Sequence, residues 1–567
     1  MATVESREQH ATHEVSNQAS ALEDYNVFEA DRVLVEALRR EGGDWAEAAA
    51  YKVGAFAGSA VAQRWGREAN ENPPKLRTHD RFGHRIDEVE FHPAWHELLR
   101  AGVGFGVHSL PWQEERPGTH VARAAMFIAF GQAEAGVGCP LSMTYSAVPA
   151  LRAQPEVAAE WESRLTSTSY DGEQLRPAPD KAGALCGMAM TEKQGGSDVR
   201  ANTTTAQPLN GGGEYELTGH KWFCSAPMCD VFLVLAQAPG GLSCFLLPRF
   251  TPDGMRNRMH LQRLKDKLGN RSNASSEVEF RGAWARMIGE EGRGVPTIIE
   301  MVNHTRLDCS LGGAAGMRMG VAQAIHHCSE RAAFGKRLID QPLMQNVLAD
   351  LAIESEAATV AAMRLARAYD EASPDPDASS APTPGASGSA DAFEFRRLAN
   401  ATLKYWITKR APAHAAEALE CFGGNGYVEE SGMPRLYRES PLNSIWEGSG
   451  NVQCLDVLRG MARNPASVEA FFGEVAEAAG ADRRLDDATA ELREELTDLD
   501  AIESRARRVV EWMALVLQGS LLVRYGDQAV ADAFCASRLG GDAGRAFGTL
   551  PPGTDFQRII ERHAPRA

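Results

Sequence analysis

Cysteine pairs at metal-binding or redox spacing are missing from this chain: its ten cysteines are scattered over 567 residues with no Cys-x-x-Cys. That excludes a zinc ribbon or a thioredoxin-type motif, and the apolar settings of Cys186, Cys328 and Cys421 predict buried free thiols. Histidine supplies no metal site either. His92 and His96 have the spacing of two ligands on one helical face, but no third ligand accompanies them, so no metal is assigned. Long apolar runs are also missing. Nothing approaches the roughly 18 apolar residues of a membrane span. The polar first 20 residues hold no apolar core of a signal peptide, so no membrane partner and a cytoplasmic location are expected. Positive charge is in deficit, with 59 Lys and Arg against 76 Asp and Glu and a net charge of −17. Such a balance favours solubility and argues against a surface that coats nucleic acid broadly.

What is present divides the chain into several cores, since 567 residues exceed what one core can hold. Residues 1–25 are expected to be a flexible arm that orders only against something else. Residues 26–186 read as mostly helical, with Val33, Leu34 and Leu38 on one face of Glu29–Arg39 and a second apolar helical pattern over Ala122–Gly136. The texture then changes. Tyr215–Leu217, Phe232–Gln237, Ser243–Pro248 and Glu277–Phe280 are short strand candidates separated by Gly-rich turns, which predicts an antiparallel, barrel-like β domain over 187–290. Residues 291–463 carry four long Ala- and Leu-rich periodic segments, Met301–Ala333, Pro342–Asp370, Phe393–Gly423 and Ser449–Ala462, the composition of a helical bundle. The Pro/Ser/Asp tract at 373–389 is expected to be a disordered insertion. Residues 464–567 form a helical appendix with twelve arginines, no lysine and eighteen acidic residues, net −6. Within it Arg505, Arg507 and Arg508 cluster beside a core helix, Val509–Val523, whose run is interrupted at Gln518-Gly519-Ser520.

Three stretches carry candidate chemistry. The first is Met188-Ala189-Met190-Thr191-Glu192-Lys193-Gln194-Gly195-Gly196-Ser197-Asp198-Val199, a buried apolar strand leading into a loop whose paired glycines permit positive φ and close backbone approach to a ligand. A plain turn has the same composition. The second is Gly219-His220-Lys221-Trp222-Phe223-Cys224-Ser225, where Trp222 can cover one face of a planar ring. The third is Asn443-Ser444-Ile445-Trp446-Glu447-Gly448-Ser449-Gly450-Asn451. Partial burial would raise the Glu447 carboxyl towards a useful base, although a helix-capping carboxylate occurs in the same setting.

These three stretches, with Arg331 to Gly335 and Phe422-Gly423-Gly424-Asn425-Gly426-Tyr427 in the order helical domain, β domain, bundle, resemble the acyl-CoA dehydrogenase family over about residues 90–463. The Met190–Val199 run, Lys265-Asp266-Lys267-Leu268-Gly269-Asn270-Arg271-Ser272-Asn273-Ala274 and the appendix resemble its AidB branch, which is associated with the response to DNA alkylation. The resemblance implies an α+β fold of N-terminal helical domain, central β domain, C-terminal four-helix bundle and extra helical appendix. It also implies FAD, bound non-covalently in a homotetramer. Carried over position by position, Met188, Ala189, Met190, Thr191, Gly196 and Ser197 contact the flavin and its ribityl-phosphate chain. Trp222, Phe223 and Cys224 pack on the isoalloxazine, and Ile445, Trp446, Gly448, Ser449, Gly450, Asn451 and Leu455 complete the site. Arg331, Phe334, Gln341, Gly423 and Gly424 match positions that reach the cofactor of a neighbouring subunit. Glu420 stands where the family often has glutamine.

Glu447 matches the family's catalytic base. Some members place that base on the first bundle helix, at the position of Thr305, where threonine cannot serve. The implied reaction is removal of an α-proton from an acyl-CoA, expected to be short or branched, with hydride leaving the β-carbon for flavin N5. The residues specify no electron acceptor. The competing reading is an AidB-type flavoprotein that binds double-stranded DNA through the appendix and retains little dehydrogenation. A net acidic appendix weakens that reading, because duplex binding depends on phosphate neutralisation by Lys and Arg. A third is a flavin oxidase that passes electrons to oxygen.

Overall fold

The computed structural model describes residues 12–209, 211, 213–372 and 390–565. The tract 373–389 and residues 1–11 of the expected arm lie outside the described residues. Residues 17–25 are held against the rest of the chain instead of hanging free: the Ser20 backbone N–H donates to Glu330 Oε2 at 2.6 Å, Asn17 Nδ2 donates to the Ala332 carbonyl at 2.8 Å, and Leu22 and Tyr25 are buried. The arm finds its partner within its own chain.

The N-terminal domain comprises α1 (Arg32–Arg40), α2 (Glu47–Ala57), α3 (Ala60–Glu71), α4 (Pro93–Gly104), α5 (Leu110–Gln113), α6 (Thr119–Gly131), α7 (Gly138–Leu151) and α8 (Pro155–Leu165). Asp31 caps α1 by accepting from the Leu34 amide at 3.1 Å, and the buried stripe Val33, Leu34, Ala37 and Leu38 fixes the face that packs inward. His92 accepts from the Ala94 amide at the start of α4, while His96 bonds the Tyr170 hydroxyl at 2.8 Å, so both histidines have structural partners. Between α3 and α4 lies a hairpin not expected from the sequence, β1 (Lys75–His79) with β2 (Arg85–Glu90). Its side chains are mostly charged, which hid the period of two. Arg85 Nη2 ties it to the Leu261 carbonyl at 2.6 Å.

The β domain contains β3 (Cys186–Ala189), β4 (Thr205–Pro208), β5 (Glu214–Ser225), β6 (Val231–Ala238), β7 (Gly241–Pro248), β8 (Met259–Leu264) and β9 (Ser275–Ile288). The strand order is β3-β6-β4-β5-β9-β7, β7 pairs back onto β6, and β8 lies along β9, so the sheet closes on itself. It is not purely antiparallel. β3 enters from the helical domain instead of from a hairpin and joins β6 in parallel, Cys186 opposite Val231 through Ala189 opposite Val234. β5 departs from regular pairing with β9 between Lys221 and Cys224. That irregularity frees the Trp222 N–H to donate to the Thr191 carbonyl at 2.8 Å, stitching the second candidate stretch to the first.

The bundle is formed by α9 (Gly294–Glu330), α10 (Pro342–Glu371), α11 (Ala390–Glu420) and α13 (Gly450–Arg463), with the short α12 (Met433–Glu439) before α13. α9, α10 and α11 are buried over most of their length, as expected of helices walled in by others. The appendix, α14 (Pro465–Ala476), α15 (Arg483–Glu495), α16 (Ile502–Tyr525), α17 (Gln528–Phe534) and α18 (Phe556–His563), packs onto α10 and α11. α16 runs unbroken through Gln518-Gly519-Ser520, correcting the expected interruption. A Cβ at Gly519 would stand 2.8 Å from Leu539, so the glycine serves close packing. Glu356 on α10 accepts from Arg562 and His563, both at 2.9 Å, which anchors the end of the appendix in the bundle.

Candidate active site

The loop after β3 is organised by a carboxylate to which the motif reading gave no role. Glu192 is fully buried and accepts from Lys221 Nζ at 2.8 Å, the Thr203 amide at 2.7 Å, the Thr203 hydroxyl at 2.9 Å and the Thr204 amide at 3.1 Å. Burial alone would raise this carboxyl. The Lys221 ammonium and the Thr203 amide overrule that and hold it well below the usual carboxylate range. Lys221 also donates to the Leu235 carbonyl at 2.8 Å, so one buried ion pair joins the loop, β5 and β6. Around it the loop is shaped for close approach. Gly195 has φ +145° with open space beside it, and a Cβ at Gly196 would meet Thr191 Oγ1 at 2.4 Å.

Met188 and Ala189 are buried in β3, and Met190, Thr191, Gly196 and Ser197 follow at the strand exit, progressively more exposed. Of the second stretch, Cys224 is sealed in the core, Phe223 is exposed, and Trp222 lies between them with Lys265 Nζ 3.2 Å from its ring centre, covering one face.

Glu447 lies in the loop before α13 with φ +56°, a left-handed conformation that costs a non-glycine residue about 1–2 kcal/mol. Three side chains hold it there. Arg306 Nε donates to its carbonyl at 3.1 Å, Gln453 Nε2 donates to the same carbonyl at 2.9 Å, and Lys404 Nζ donates to the flanking carbonyls of Trp446 and Gly448 at 2.8 and 2.5 Å. The carboxylate accepts from Thr305 Oγ1 at 2.7 Å. Burial raises the Glu447 carboxyl above the ordinary glutamate value, against opposing pulls from Thr305, Lys404 and Arg306. Thr305 Oγ1 is also 3.0 Å from the Val302 carbonyl. Its single proton can therefore serve an ionised Glu447, or turn to Val302 and accept from a protonated one. Asp308, one turn further along α9, is not a second base: it is buried and clasped by both terminal nitrogens of Arg123.

Ile445 is exposed, Trp446 donates its indole N–H to Asn443 Oδ1 at 3.0 Å, and Gly448 has φ +93°. Ser449 precedes α13, whose first turns carry Gly450, Asn451 and Leu455. Arg507 of the appendix reaches this turn and donates to Asn451 Oδ1 at 2.8 Å. The structure does not bring Arg331, Phe334, Gln341, Gly423 and Gly424 to this place. Arg331 is 26 residues beyond Thr305 along and past α9, roughly 39 Å at the rise of an α-helix. At that far end Gln341 Nε2 bonds the Ala333 carbonyl at 2.9 Å, Phe422, just before Gly423 and Gly424, stacks on His327, and Phe334 is 98% exposed. Glu420 is exposed at the end of α11.

The residues fit a flavin. Both carboxamide atoms of Asn273 and the Oε1 of Gln453 are buried without a hydrogen-bond partner, and such orphans cost about 1–3 kcal/mol each. Asn273 belongs to the loop whose backbone accepts from Lys267 at 2.7 Å, and Lys267 also bonds Ser275, which faces Ser225 at the end of β5. A planar ring with donors and acceptors along its edge is the chemistry this lining lacks. Among the described residues no group of three His, Cys, Asp or Glu could hold a metal. The motif reading assigns no role to Lys404, Arg306 or Gln453, and Asn273 stands in the Lys265–Ala274 run without one. For Lys404 a trace existed, since it falls on the otherwise buried stripe Asn400, Thr408, Ala411 and Ala415 of α11.

Comparison with known proteins agrees with this architecture. Residues 17–172 match the adaptive response protein AidB N-terminal domain, 187–283 the acyl-CoA dehydrogenase middle domain, and 292–462 the acyl-CoA dehydrogenase C-terminal domain. The chain is 45% identical over 532 residues to the putative acyl-CoA dehydrogenase AidB of Escherichia coli (strain K12), covering 93% of this chain and 94% of that one. It is 30% identical to acyl-CoA dehydrogenase family member 11 of Caenorhabditis elegans, covering 90% and 85% of the two chains. The crystal structure of Caenorhabditis elegans ACDH-11 in complex with C11-CoA superimposes with a TM-score of 0.85 at 28% identity, covering 95% of each chain. With three domains in register and this identity over nearly its whole length, the chain belongs to the acyl-CoA dehydrogenase family, in its AidB branch.

Proposed function

We propose that the protein is an FAD-dependent dehydrogenase of acyl-CoA thioesters, with Glu447 as the base that removes the α-proton. The observation that carries this reading is the hold on Glu447: a left-handed backbone fixed by three side chains, with a carboxylate whose side-chain hydrogen bond, the only one among the described residues, comes from a hydroxyl able to serve both protonation states. Bound FAD supplies the hydride acceptor. It would be held by Met190, Thr191, Gly196, Ser197, Trp222 and the Ile445–Leu455 turn, with Arg331, Phe334, Gln341, Gly423 and Gly424 contributed by a second copy in a homotetramer. The 39 Å separation along α9 supports that division. The Glu447 backbone N–H is the proposed donor to the thioester carbonyl, where it opposes the charge that develops as the α-proton leaves. Because burial raises the Glu447 carboxyl, the rate should climb with pH through a pKa above that of ordinary glutamate, and fall below it as the base protonates.

The test is anaerobic mixing with a panel of acyl-CoAs of increasing chain length. Rapid loss of the oxidised flavin spectrum with at least one member is expected. If none reduces the flavin, the dehydrogenase reading fails and the DNA-damage reading replaces it.

The arginine cluster of the appendix gives the DNA reading little support. Arg505 pairs with Glu495 and donates to the Asp498 and Asp500 carbonyls, Arg507 is bound to Asn451, and Arg508 lies over Trp512. Reversal of all three to glutamate should change duplex affinity less than about threefold at low salt, because Arg505 is paired with Glu495 and the two exposed guanidiniums, Arg507 and Arg508, stand on a net acidic appendix. Wild-type binding that falls steeply between about 50 and 200 mM salt, and that this reversal abolishes, would restore the appendix as a DNA surface.

A further inference from the structure

Lys404 is fully buried on α11, and its ammonium donates to two backbone carbonyls, Trp446 O at 2.8 Å and Gly448 O at 2.5 Å. Among the described residues no carboxylate lies within 4.0 Å of it, unlike the buried Lys221 and Lys181, which both have one. A full charge left with dipoles alone is costly in a dry interior. What Lys404 does touch is specific: the two carbonyls belong to the residues immediately before and after Glu447.

The charged and titratable groups around this turn come from each element packed on it. α9 contributes Thr305, Arg306 and the Cys309 thiol; α11 contributes Lys404 and, near the start of α13, Tyr405 and Lys409; α13 contributes Cys454 and Asp456; and α16 of the appendix contributes Arg507. Arg306 is neutralised by Asp456 at 2.6 Å. Lys409 and Arg507 are exposed to solvent, so among the described residues Lys404 is the buried cation of this turn without a carboxylate partner, and Glu447 is the carboxylate without a paired cation.

We propose that Lys404 is a positioning residue for the reaction: it clamps the peptides on both sides of Glu447 in the left-handed turn and is the counter-charge that keeps the carboxylate ionised until it takes the substrate proton. Once Glu447 is protonated the ammonium has lost its anion, which favours return of the proton to solvent and regeneration of the base. Burial pushes Lys404 down to about 8; Cys309 and then Glu447 pull it the other way, while Arg306 acts with burial. The role rests on the reading of Glu447 as the base.

The experiment follows the Glu447 carboxyl by infrared difference titration, with Glu447→Gln as the blank that identifies its band, in the wild type, Lys404→Gln and Lys404→Arg. Glutamine keeps a donor and removes the charge; arginine keeps both. Lys404→Gln should raise the Glu447 pKa by at least about one unit, a tenfold loss of ionised base at a fixed pH below it, and Lys404→Arg should return most of the shift. A folded Lys404→Gln protein that titrates like the wild type overturns the proposal. If Lys404→Gln does not fold, the reciprocal measurement decides: in Glu447→Gln the lysine loses its anion and its own pKa should fall in 13C-lysine NMR, whereas an unchanged value refutes the coupling. Neither titration needs turnover. A shift in a protein that no acyl-CoA reduces would sink the dehydrogenase reading and leave the clamp standing; reduction without a shift would do the reverse.

Discussion

Glu447→Gln is expected to leave the folded, flavin-loaded protein intact while reduction by acyl-CoA falls by roughly 10²–10⁴ or more. The amide nearly matches the carboxylate in shape and can still accept from Thr305, so the loop and the perturbation of the flavin spectrum on ligand binding should survive. It cannot accept the α-proton, and hydride departure from the β-carbon stalls when that proton stays. The measurement is anaerobic stopped-flow bleaching of wild type and variant against the same acyl-CoA. Reduction persisting near the wild-type rate would mean that another group removes the proton. Asp308 is a poor substitute, because Arg123 clasps both of its oxygens in the core.

The second large effect is structural and lies on the other wall of the site. Glu192→Ala strands the Lys221 ammonium in the β domain and unpartners the Thr203 and Thr204 amides together, and removing one member of a buried pair costs about 3–5 kcal/mol. A domain is stable by only about 5–15 kcal/mol, so a thermal midpoint lower by about 10 °C and loss of bound flavin on gel filtration are expected. The double change Glu192→Leu with Lys221→Met should recover much of the melting temperature without restoring flavin retention, since it removes the stranded charge but leaves the loop untied. Equal flavin content in Glu192→Ala and wild type would show that the pair does not shape the loop. The sign with pH follows from the depressed Glu192 carboxyl. Its contribution is fully present above the unfolded glutamate pKa and is lost as pH falls through the folded value.

The parts of this molecule written in local pattern are legible in its sequence. Four strand candidates fall inside β5, β6, β7 and β9, and the four long periodic segments overlap α9, α10, α11 and α13. What escaped had a weak or masked local pattern. β1 and β2 alternate, but with charged residues on most positions, and β8 runs Met259-His260-Leu261-Gln262-Arg263-Leu264, too polar to stand out. The site divides in the same way. Glu447 and the glycine loop could be found because their neighbours in sequence are also their neighbours in space. The clamp could not: Lys404 and Trp446 are 42 residues apart, and Thr305 and Glu447 are 142 apart. A lysine on a buried stripe announces that something polar awaits it, but only the packing of α11 against the turn before α13 says what.

The ten thiols give the fold a clock. Every cysteine is free and buried, and they are spread over α7, β3, β5, the turn between β5 and β6, β7, α9, the end of α11, α13 and the appendix. Burial pushes most of them up, Cys454 to about 11 and Cys139, Cys224 and Cys309 to about 12. A thiol in that state reacts with an alkylating reagent only during moments when its surroundings open. The time course of capture therefore ranks the parts of the chain by how often they breathe. Cys535 reports the appendix, Cys328 and Cys421 together report the far end of the bundle, and Cys139 and Cys224 report the wall against which a ligand would rest. A ligand that seals that wall should slow the last two and leave Cys535 untouched, which makes the chain its own footprinting reagent for whatever it binds.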